Sequence, residues 1–269
     1  MTEPLLELDR VTKRFGRIVI AEDLSLAVGR GDVVGIVGPN GAGKTSLFGL
    51  ISGDLAPGSG DVRFAGRTVT KLDAAARCRL GVGRTYQVPR PFGDMTVFEN
   101  LLVAAQQGGG LRRKASFAAA FAALERTGMN GQANVPAERL GLLQRKRLEL
   151  ARALATQPAL LLLDEVAGGL TDPEVAQLVE IVRGINADGT AVIWIEHVVR
   201  ALTAVVSRLI CLAGGIFVGD GHPDAVLANP AVREVFLGTD VTAALAGGSL
   251  ELSPDGHEDG GSGHRGGPA

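Results

Sequence analysis

The sequence predicts an α/β fold in which helices cover a parallel sheet. Two compact apolar runs, 159–163 and Ala191–Ile195, have the length and composition of strands that are buried on both faces. Between them, apolar residues repeat at helical spacing from Val175 to Ile185. This helix is predicted to start at Asp172-Pro173, where proline takes the first helical position. Strands that alternate with helices imply a parallel sheet with helical cover.

The elements before this region differ in character. Short strands are predicted at 5–8, 24–28 and Val33–Val37, a helix at 44–51, and a hairpin at 62–69 around Ala65-Gly66. Between about 92 and 155 the pattern becomes purely helical, which indicates a helical subdomain inserted in the α/β core. Its helices are predicted at 96–107, 111–127 and 144–155.

Composition and charge exclude several classes of protein. The chain has 269 residues, of which 46% are hydrophobic and 21% charged, as in globular proteins. A net charge of −2 argues against a nucleic-acid partner, because dedicated nucleic-acid binders usually carry a strongly basic domain. Cys78 and Cys211 lie far apart without metal-ligand spacing, so we expect two small core residues in a reducing compartment.

The N-terminal sequence and the lengths of the apolar runs indicate where in the cell the chain is expected. The N-terminus MTEPLLELDR lacks an apolar signal stretch, and no apolar run approaches the roughly 20 residues of a membrane helix. We therefore expect a cytoplasmic chain that reaches a membrane only through partners. The glycine-rich, polar tail from 239 to 269 is expected to be largely disordered, with His257 and His264 solvated.

A glycine-rich segment, GPNGAGKT at 38–45, predicts a phosphate-binding loop. It matches the pattern G-x-x-x-x-G-K-[ST], and it follows a predicted strand and opens a predicted helix, as that pattern requires. Glycines let the backbone wrap around phosphate oxygens, and the amides then point inward at the helix N-terminus. Lys44 is expected to reach the β- and γ-phosphates, and the Thr45 hydroxyl to bind Mg²⁺. The alternative, a chance glycine-rich turn, does not explain this order of strand, loop and helix. The expected nucleotide-binding residues here are Gly38, Asn40, Gly41, Ala42, Gly43, Lys44, Thr45 and Ser46.

Two acidic residues end the apolar run LLLLDE at 160–165. Asp164 is expected to hold Mg²⁺, directly or through water, and Glu165 to polarise an attacking water, as phosphoryl transfer requires. A strand that ends in a polar turn is the alternative, and the neighbouring phosphate-binding loop makes it the weaker one.

Further segments then follow in a recognisable order. Gln87 comes after Gly83-Arg84-Thr85-Tyr86, and the segment 139–155 lies just before the acidic strand. Gly168-Gly169-Leu170-Thr171 follows Glu165, and His197 ends the segment AVIWIEH. From about residue 5 to 238 this order resembles the ATP-binding subunits of ABC transporters.

The resemblance implies an architecture. It is a P-loop NTPase (RecA-like) α/β core with an N-terminal antiparallel β-subdomain and an inserted α-helical subdomain. The ATP-binding domain would span 5–238, and its helical part about 88–155.

Three stretches resemble one branch of that family. They are RTYQVPRPFGDMTVFENLLVAA (84–105), LLLDEVAGGL (161–170) and HPDAVLANPAVREVFLGTD (222–240). The branch energises high-affinity importers of branched-chain amino acids, with relatives for urea and short amides. The resemblance implies ATP and Mg²⁺ as cofactors and a peripheral location on the inner face of the cell membrane. The implied partners are two membrane permease subunits, a second ABC ATPase subunit and, indirectly, a substrate-binding protein. A soluble non-transport ABC ATPase, an export ATPase and a pseudo-ATPase remain alternatives.

The family's functional residues carry over by position. Phe15 stands where an aromatic residue stacks on adenine, although a core phenylalanine is an equally good interpretation. Gln87 corresponds to the glutamine that contacts Mg²⁺ and senses the γ-phosphate, and His197 to the switch histidine. The catalytic residues are thus Glu165, His197 and Gln87, and the metal ligands Thr45, Gln87 and Asp164. The segment 89–98 is expected to contact the membrane subunit, with subdomain core as the alternative.

The family signature, Leu-Ser-x-Gly-Gln, is altered in this chain. Counting back from Leu148 places residues 140–144, LGLLQ, in those positions, so Gly141 replaces the serine and Leu143 replaces the glycine. In the family this motif closes over the partner's ATP. We therefore expect a lost hydroxyl and an obstructing Leu143 to weaken one site, which favours a heterodimer with an intact second ATPase. Alternatively, Gly141 itself serves as the phosphate-facing glycine.

Two further expectations concern the neighbourhood of this motif. Thr171 replaces the usual Asp or Asn of the following loop. The basic residues behind the signature are expected to form a partly solvated face that attracts the partner's nucleotide. They are Arg145, Lys146, Arg147 and Arg152.

Overall fold

The computed structural model describes residues 3–236 of the chain. The predictions for the tail from 239, including His257 and His264, lie outside these residues. The boundaries assigned to the domain and its helical part stay predictions.

Two sheets organise the described residues, and together they confirm the predicted α/β class. The smaller sheet is antiparallel and has the order β2-β1-β4-β5. Its strands are β1 (Leu6–Phe15), β2 (Ile18–Val28), β4 (Ser59–Phe64) and β5 (Arg67–Thr68). β1 and β2 are about twice as long as predicted, because their exposed, polar ends hide the apolar alternation.

The larger sheet has the order β10-β9-β3-β8-β7-β6, and its pairs are parallel except for β9 with β10. Its strands are β3 (Val33–Val37), β6 (Val82–Arg84), β7 (Leu160–Asp164), β8 (Ala191–Ile195), β9 (Arg208–Ala213) and β10 (Ile216–Gly221). Every residue of β3, β7 and β8 is buried, as expected for strands with both faces covered.

The helices pack on both faces of the larger sheet. They are α1 (Lys44–Ser52), α2 (Ala74–Leu80), α3 (Val97–Val103), α4 (Arg113–Thr127), α5 (Leu142–Ala155), α6 (Asp172–Ala187), α7 (Val199–Thr203), α8 (Pro223–Ala228) and α9 (Pro230–Phe236). None of the helices within residues 3–236 is both long and apolar enough to span a bilayer.

The predicted helical insertion is present as α3, α4 and α5. Thr96 and Glu99 form a capping box that starts α3, and a π-helical turn, Ala104–Gly108, continues it. The third helix begins at Leu142, two residues earlier than predicted, and Gly141 is its N-cap.

Two hydrophobic cores hold the layers together. One joins α1 to both sheets and contains Leu47, Phe48 and Phe64. The other packs the helical insertion and α6 against the opposite face of the larger sheet and contains Leu148, Leu163 and Trp194. Because β3, β7 and β8 are parallel neighbours, the loops after their carboxyl ends meet at one edge of the sheet, where ligands commonly bind in such sheets.

Candidate nucleotide-binding site

The loop between β3 and α1 needs glycine at two positions for steric reasons. Gly38 has φ +155°, and a Cβ there would lie 2.0 Å from the Leu212 carbonyl oxygen. Gly43, the N-cap of α1, has φ +100°, and a Cβ there would lie 2.5 Å from the Ile20 carbonyl oxygen. The loop therefore runs directly against the backbone of β9 and β2, which excludes a side chain at these two positions.

Lys44 lies across this loop with its side chain buried. Its Nζ donates to the carbonyl oxygens of Gly38 (2.7 Å) and Pro39 (3.0 Å). Burial lowers the pKa of Lys44, while the carboxylates of Glu165 and Asp164 act in the opposite direction. The ammonium group therefore contacts the loop and is influenced by the acidic residues at the end of β7.

A cavity of about 590 Å³ opens in front of the loop and brings most of the predicted residues together. Its lining includes Asn40, Gly41, Ala42, Gly43, Lys44, Thr45, Ser46, Gln87, Glu165 and His197. An adjoining cavity of about 470 Å³ is lined by Thr45, Gln87 and Asp164, the three predicted metal ligands, among others. Gly38 does not line either cavity, because it lies beneath the loop as an acceptor for Lys44.

Sequence reasoning missed one wall of the larger cavity. Ile18, Val19 and Ile20, at the start of β2, line it. Ile18 is 69% exposed, which is unusual for isoleucine. In the sequence, the signal for this wall is the apolar run that follows Gly16-Arg17.

Phe15 stands beside this wall but does not line the cavity. Its side chain is 50% exposed, and the Lys13 ammonium lies 5.0 Å from the ring centroid. The interpretation of Phe15 as a core residue is therefore wrong, whereas stacking on adenine stays a prediction.

Glu165 is held at both carboxylate oxygens. His197 Nε2 lies 2.6 Å from Oε1, and Gln87 Nε2 donates to Oε2 at 2.5 Å. The hydrogen bond from His197 lowers the pKa of Glu165 and outweighs the opposing effect of burial. The carboxylate is thus ionised at neutral pH and in contact with both other predicted catalytic residues.

Asp164, at the end of β7, fits the role of a cation ligand. Arg84 Nη2 lies 3.3 Å from Asp164 Oδ2, whereas the buried Oδ1 has no hydrogen-bond partner among the described residues. Burial raises the pKa of Asp164, and Arg84 opposes this shift. A buried carboxylate oxygen without a partner is unfavourable, and a divalent cation would satisfy it. Arg84, which also pairs with Asp54, had no role in the sequence-based prediction.

The altered signature lies at the start of α5. Gly141 is the N-cap, and it offers no side-chain cap to the free amides of the first turn. The side chain of Leu143 is only 8% exposed and packs into the core. The prediction that Leu143 obstructs the tip is therefore wrong, since helical geometry turns it inward. The exposed leucine is Leu142, which is 49% exposed.

The predicted basic face behind the signature is solvated only in part, since Arg145 is exposed and Arg147 and Arg152 are partly exposed, whereas Lys146 is buried. Each of these side chains has a partner within the chain. Arg145 donates to the Glu138 carbonyl, Lys146 to the carbonyls of Gln87 and Glu165, Arg147 to Gln177, and Arg152 to Glu149 and the Arg90 carbonyl. Burial lowers the pKa of Lys146, and nearby carboxylates, Glu196 foremost, oppose this.

The structure also describes the remaining residues that were singled out in the sequence. Thr171 is the N-cap of α6 and forms a capping box with Glu174. Within 89–98, Phe92 and Met95 are exposed, so the core interpretation holds only for part of the segment. Cys211 is buried as predicted, whereas Cys78 is only half-buried, so its assignment to the core is wrong.

Several known proteins are similar to this chain over most of its length. The family model of the ABC transporter matches residues 21–168. The high-affinity branched-chain amino acid transport ATP-binding protein LivG of Salmonella typhimurium is 36% identical over 253 residues, covering 88% of this chain and 99% of LivG. The protein of the same description in Pseudomonas aeruginosa, BraF, is 34% identical with the same coverage. A nucleotide-free ATP-binding cassette from an ABC transporter matches with a TM-score of 0.81 and 28% identity, covering 87% of this chain and 99% of that one. The chain therefore belongs to the ABC transporter family and is an ATP-binding, ATP-hydrolysing subunit of it.

Proposed function

We propose that this chain energises an ABC importer for branched-chain or related amino acids. The observation that carries the proposal is the 36% identity to LivG, which extends over 99% of that protein. A match of this length includes the helical insertion and the C-terminal elements. These parts distinguish one branch of the family from another better than the phosphate-binding loop does.

The arrangement of the site supports a hydrolytic mechanism. The β- and γ-phosphates of ATP would lie against the amides of the loop and the α1 N-terminus, with Lys44 as charged donor. The ionised Glu165 would orient and polarise the attacking water, while His197 and Gln87 fix its carboxylate and face the γ-phosphate. Thr45, Gln87 and Asp164 would hold Mg²⁺, which supplies charge neutralisation on the phosphate oxygens.

The proposal includes partners and a location. The chain would pair with a second ABC ATPase and act on two membrane permease subunits, with a substrate-binding protein as an indirect partner. It would lie on the inner face of the cell membrane without entering it. The exposed residues Phe92 and Met95, in the segment after Gln87, are the proposed contact with a permease subunit.

Affinity capture tests this proposal. The full chain would be captured from detergent-solubilised membranes of its own cells, and the co-purifying proteins identified. Two permease subunits and a second ATPase with an intact signature are expected. Capture without any membrane protein would contradict the importer and leave a soluble ABC ATPase, and partners of an export system would indicate an export ATPase.

Restoring the serine of the signature is expected to increase turnover of the captured complex. Gly141→Ser adds a hydroxyl at the α5 N-cap, and its Cβ would meet only the flexible end of Gln144. A hydrogen bond to a charged group contributes about 1.5–3 kcal/mol, so we expect a rise of roughly tenfold or more in the ATPase rate, measured by phosphate release.

Gly131→Ser is the matched control, because Gly131 lies outside the signature, lines neither cavity of the site, and a Cβ there meets no atom within 4 Å. An unchanged rate in the Gly141→Ser complex would show that the altered signature does not weaken the site. Leu143 is left in place, since its side chain belongs to the core.

A further inference from the structure

Lys146 joins three segments that are far apart in sequence. It lies in the second turn of α5, its side chain is 5% exposed, and its Nζ donates to the carbonyl oxygens of both Gln87 and Glu165, each at 3.1 Å. One ammonium group thus connects the helix that begins at Gly141 with the main chain of two residues at the candidate hydrolytic site.

The main chain is strained at Glu165 and irregular at Gln87. The Glu165 amide donates to the Ile195 carbonyl at 2.9 Å, and the Glu165 carbonyl also accepts from the Gly168 amide at the longer distance of 3.4 Å. Glu165 has φ +47°, a left-handed conformation that is unfavourable for a residue with a side chain. Gln87 lies in a segment between β6 and α3 that has no regular secondary structure. Such conformations persist only where surrounding contacts hold them, and Lys146 supplies a charged donor to both carbonyls.

Further hydrogen bonds connect the side chains around Lys146 with one another and with the main chain. Above Lys146, the Glu165 carboxylate accepts from the side chains of Gln87 and His197. Beside it, the buried carboxylate of Glu196 accepts from the amides of Ala167 and His197. The main chain of the site is therefore held by two buried ionisable side chains, Lys146 and Glu196, and the side chains of the site hydrogen-bond to one another.

We propose that Lys146 is a positioning residue for ATP hydrolysis, which holds the main chain of Gln87 and Glu165 so that the Glu165 carboxylate is correctly placed. Because Lys146 belongs to α5, a displacement of the altered signature is transmitted to this chain's own hydrolytic residues. The inference rests on the proposed roles of Gln87 and Glu165.

The test compares substitutions in the captured full-length complex. Lys146→Met keeps the volume of the side chain and removes the donor. We expect its kcat to fall about 100-fold, as for small misplacements of a reacting group. The ATP concentration for half-maximal rate is expected to stay within about twofold, because the phosphate-binding loop is unchanged.

Lys146→Arg should recover most of the activity, since a guanidinium group can donate to both carbonyls. Lys114→Met is the matched control. It makes the same change at an exposed lysine of α4 that lines neither cavity of the site, and it should leave kcat unchanged.

Other outcomes would overturn the inference. An unchanged kcat in Lys146→Met would exclude a positioning role. Equal losses of kcat in Lys146→Met and Lys114→Met would show that the loss is not specific to Lys146. A loss in Lys146→Met that is fully accounted for by a lowered Tm would show a general structural role. If Lys146→Met and Glu165→Gln both retained full activity, the proposed function of the site would be wrong. If only Lys146→Met retained it, the proposed role of Lys146 alone would be wrong.

Discussion

Replacement of Glu165 by glutamine is expected to lower ATP hydrolysis by a factor of about 10²–10⁴, the usual contribution of a general base. Glutamine has nearly the same shape and still reaches Gln87 and His197, but it carries no negative charge to polarise water. The pKa of Glu165 is lowered by the hydrogen bond from His197, so the charge that the substitution removes is present at neutral pH. Phosphate release under steady-state and single-turnover conditions measures the effect.

ATP binding should survive this substitution, because the loop and Lys44 are untouched. Glu180→Gln is the matched control. This exposed carboxylate on α6 pairs with Arg183 and lies away from both cavities of the site. A Glu165→Gln variant that hydrolyses ATP at the rate of the control would exclude Glu165 as the base and require another group to activate water.

Replacement of Lys44 by alanine is expected to impair nucleotide binding itself. In the described structure its ammonium group rests on the carbonyls of Gly38 and Pro39, and ATP would bring phosphate oxygens to the same donor. Losing a hydrogen bond to a charged group costs about 1.5–3 kcal/mol, which corresponds to roughly a 10- to 150-fold weaker affinity for ATP. Equilibrium binding of a fluorescent ATP analogue to the full chain would give the dissociation constant.

Lys71→Ala serves as the control for Lys44, because it removes the same charge from an exposed position outside the site. The Lys44→Ala and Glu165→Gln variants should lose different functions. Lys44→Ala is expected to lose binding and hydrolysis together, whereas Glu165→Gln loses hydrolysis alone. Unchanged ATP affinity in Lys44→Ala would contradict the assignment of GPNGAGKT as the phosphate-binding loop.

Much of the site follows from local sequence. The order of strand, glycine loop, lysine and helix at 33–52 is encoded by neighbouring residues, because the backbone conformations and the helix start depend on side chains only a few positions away. The same holds for LLLLDE and AVIWIEH. Since parallel strands bring their carboxyl ends to one edge, the positions of Glu165 and His197 after β7 and β8 explain why both lie near the loop.

The orientation and the contact partners of the side chains at 139–155 could not be predicted from local sequence. The sequence placed an altered signature before a basic helix, and the natural interpretation was an obstructing Leu143 and a solvated charged face. In the structure Leu143 is in the core, Leu142 is exposed, and Lys146 is buried beneath the catalytic residues. The rotation of α5 about its axis, which is set by its packing against α4 and β7, decides which of these residues faces outward.

The sequence by itself determined the fold class, the phosphate-binding loop and the acidic pair, since each depends on contacts between residues close in the chain. Only the tertiary structure decided what Ile18, Arg84 and Lys146 touch. Lys146 meets a carbonyl 59 positions away, and Arg84 a carboxylate 80 positions away. Such contacts depend on how whole helices and strands pack against one another. A local pattern of residue types does not predict that packing.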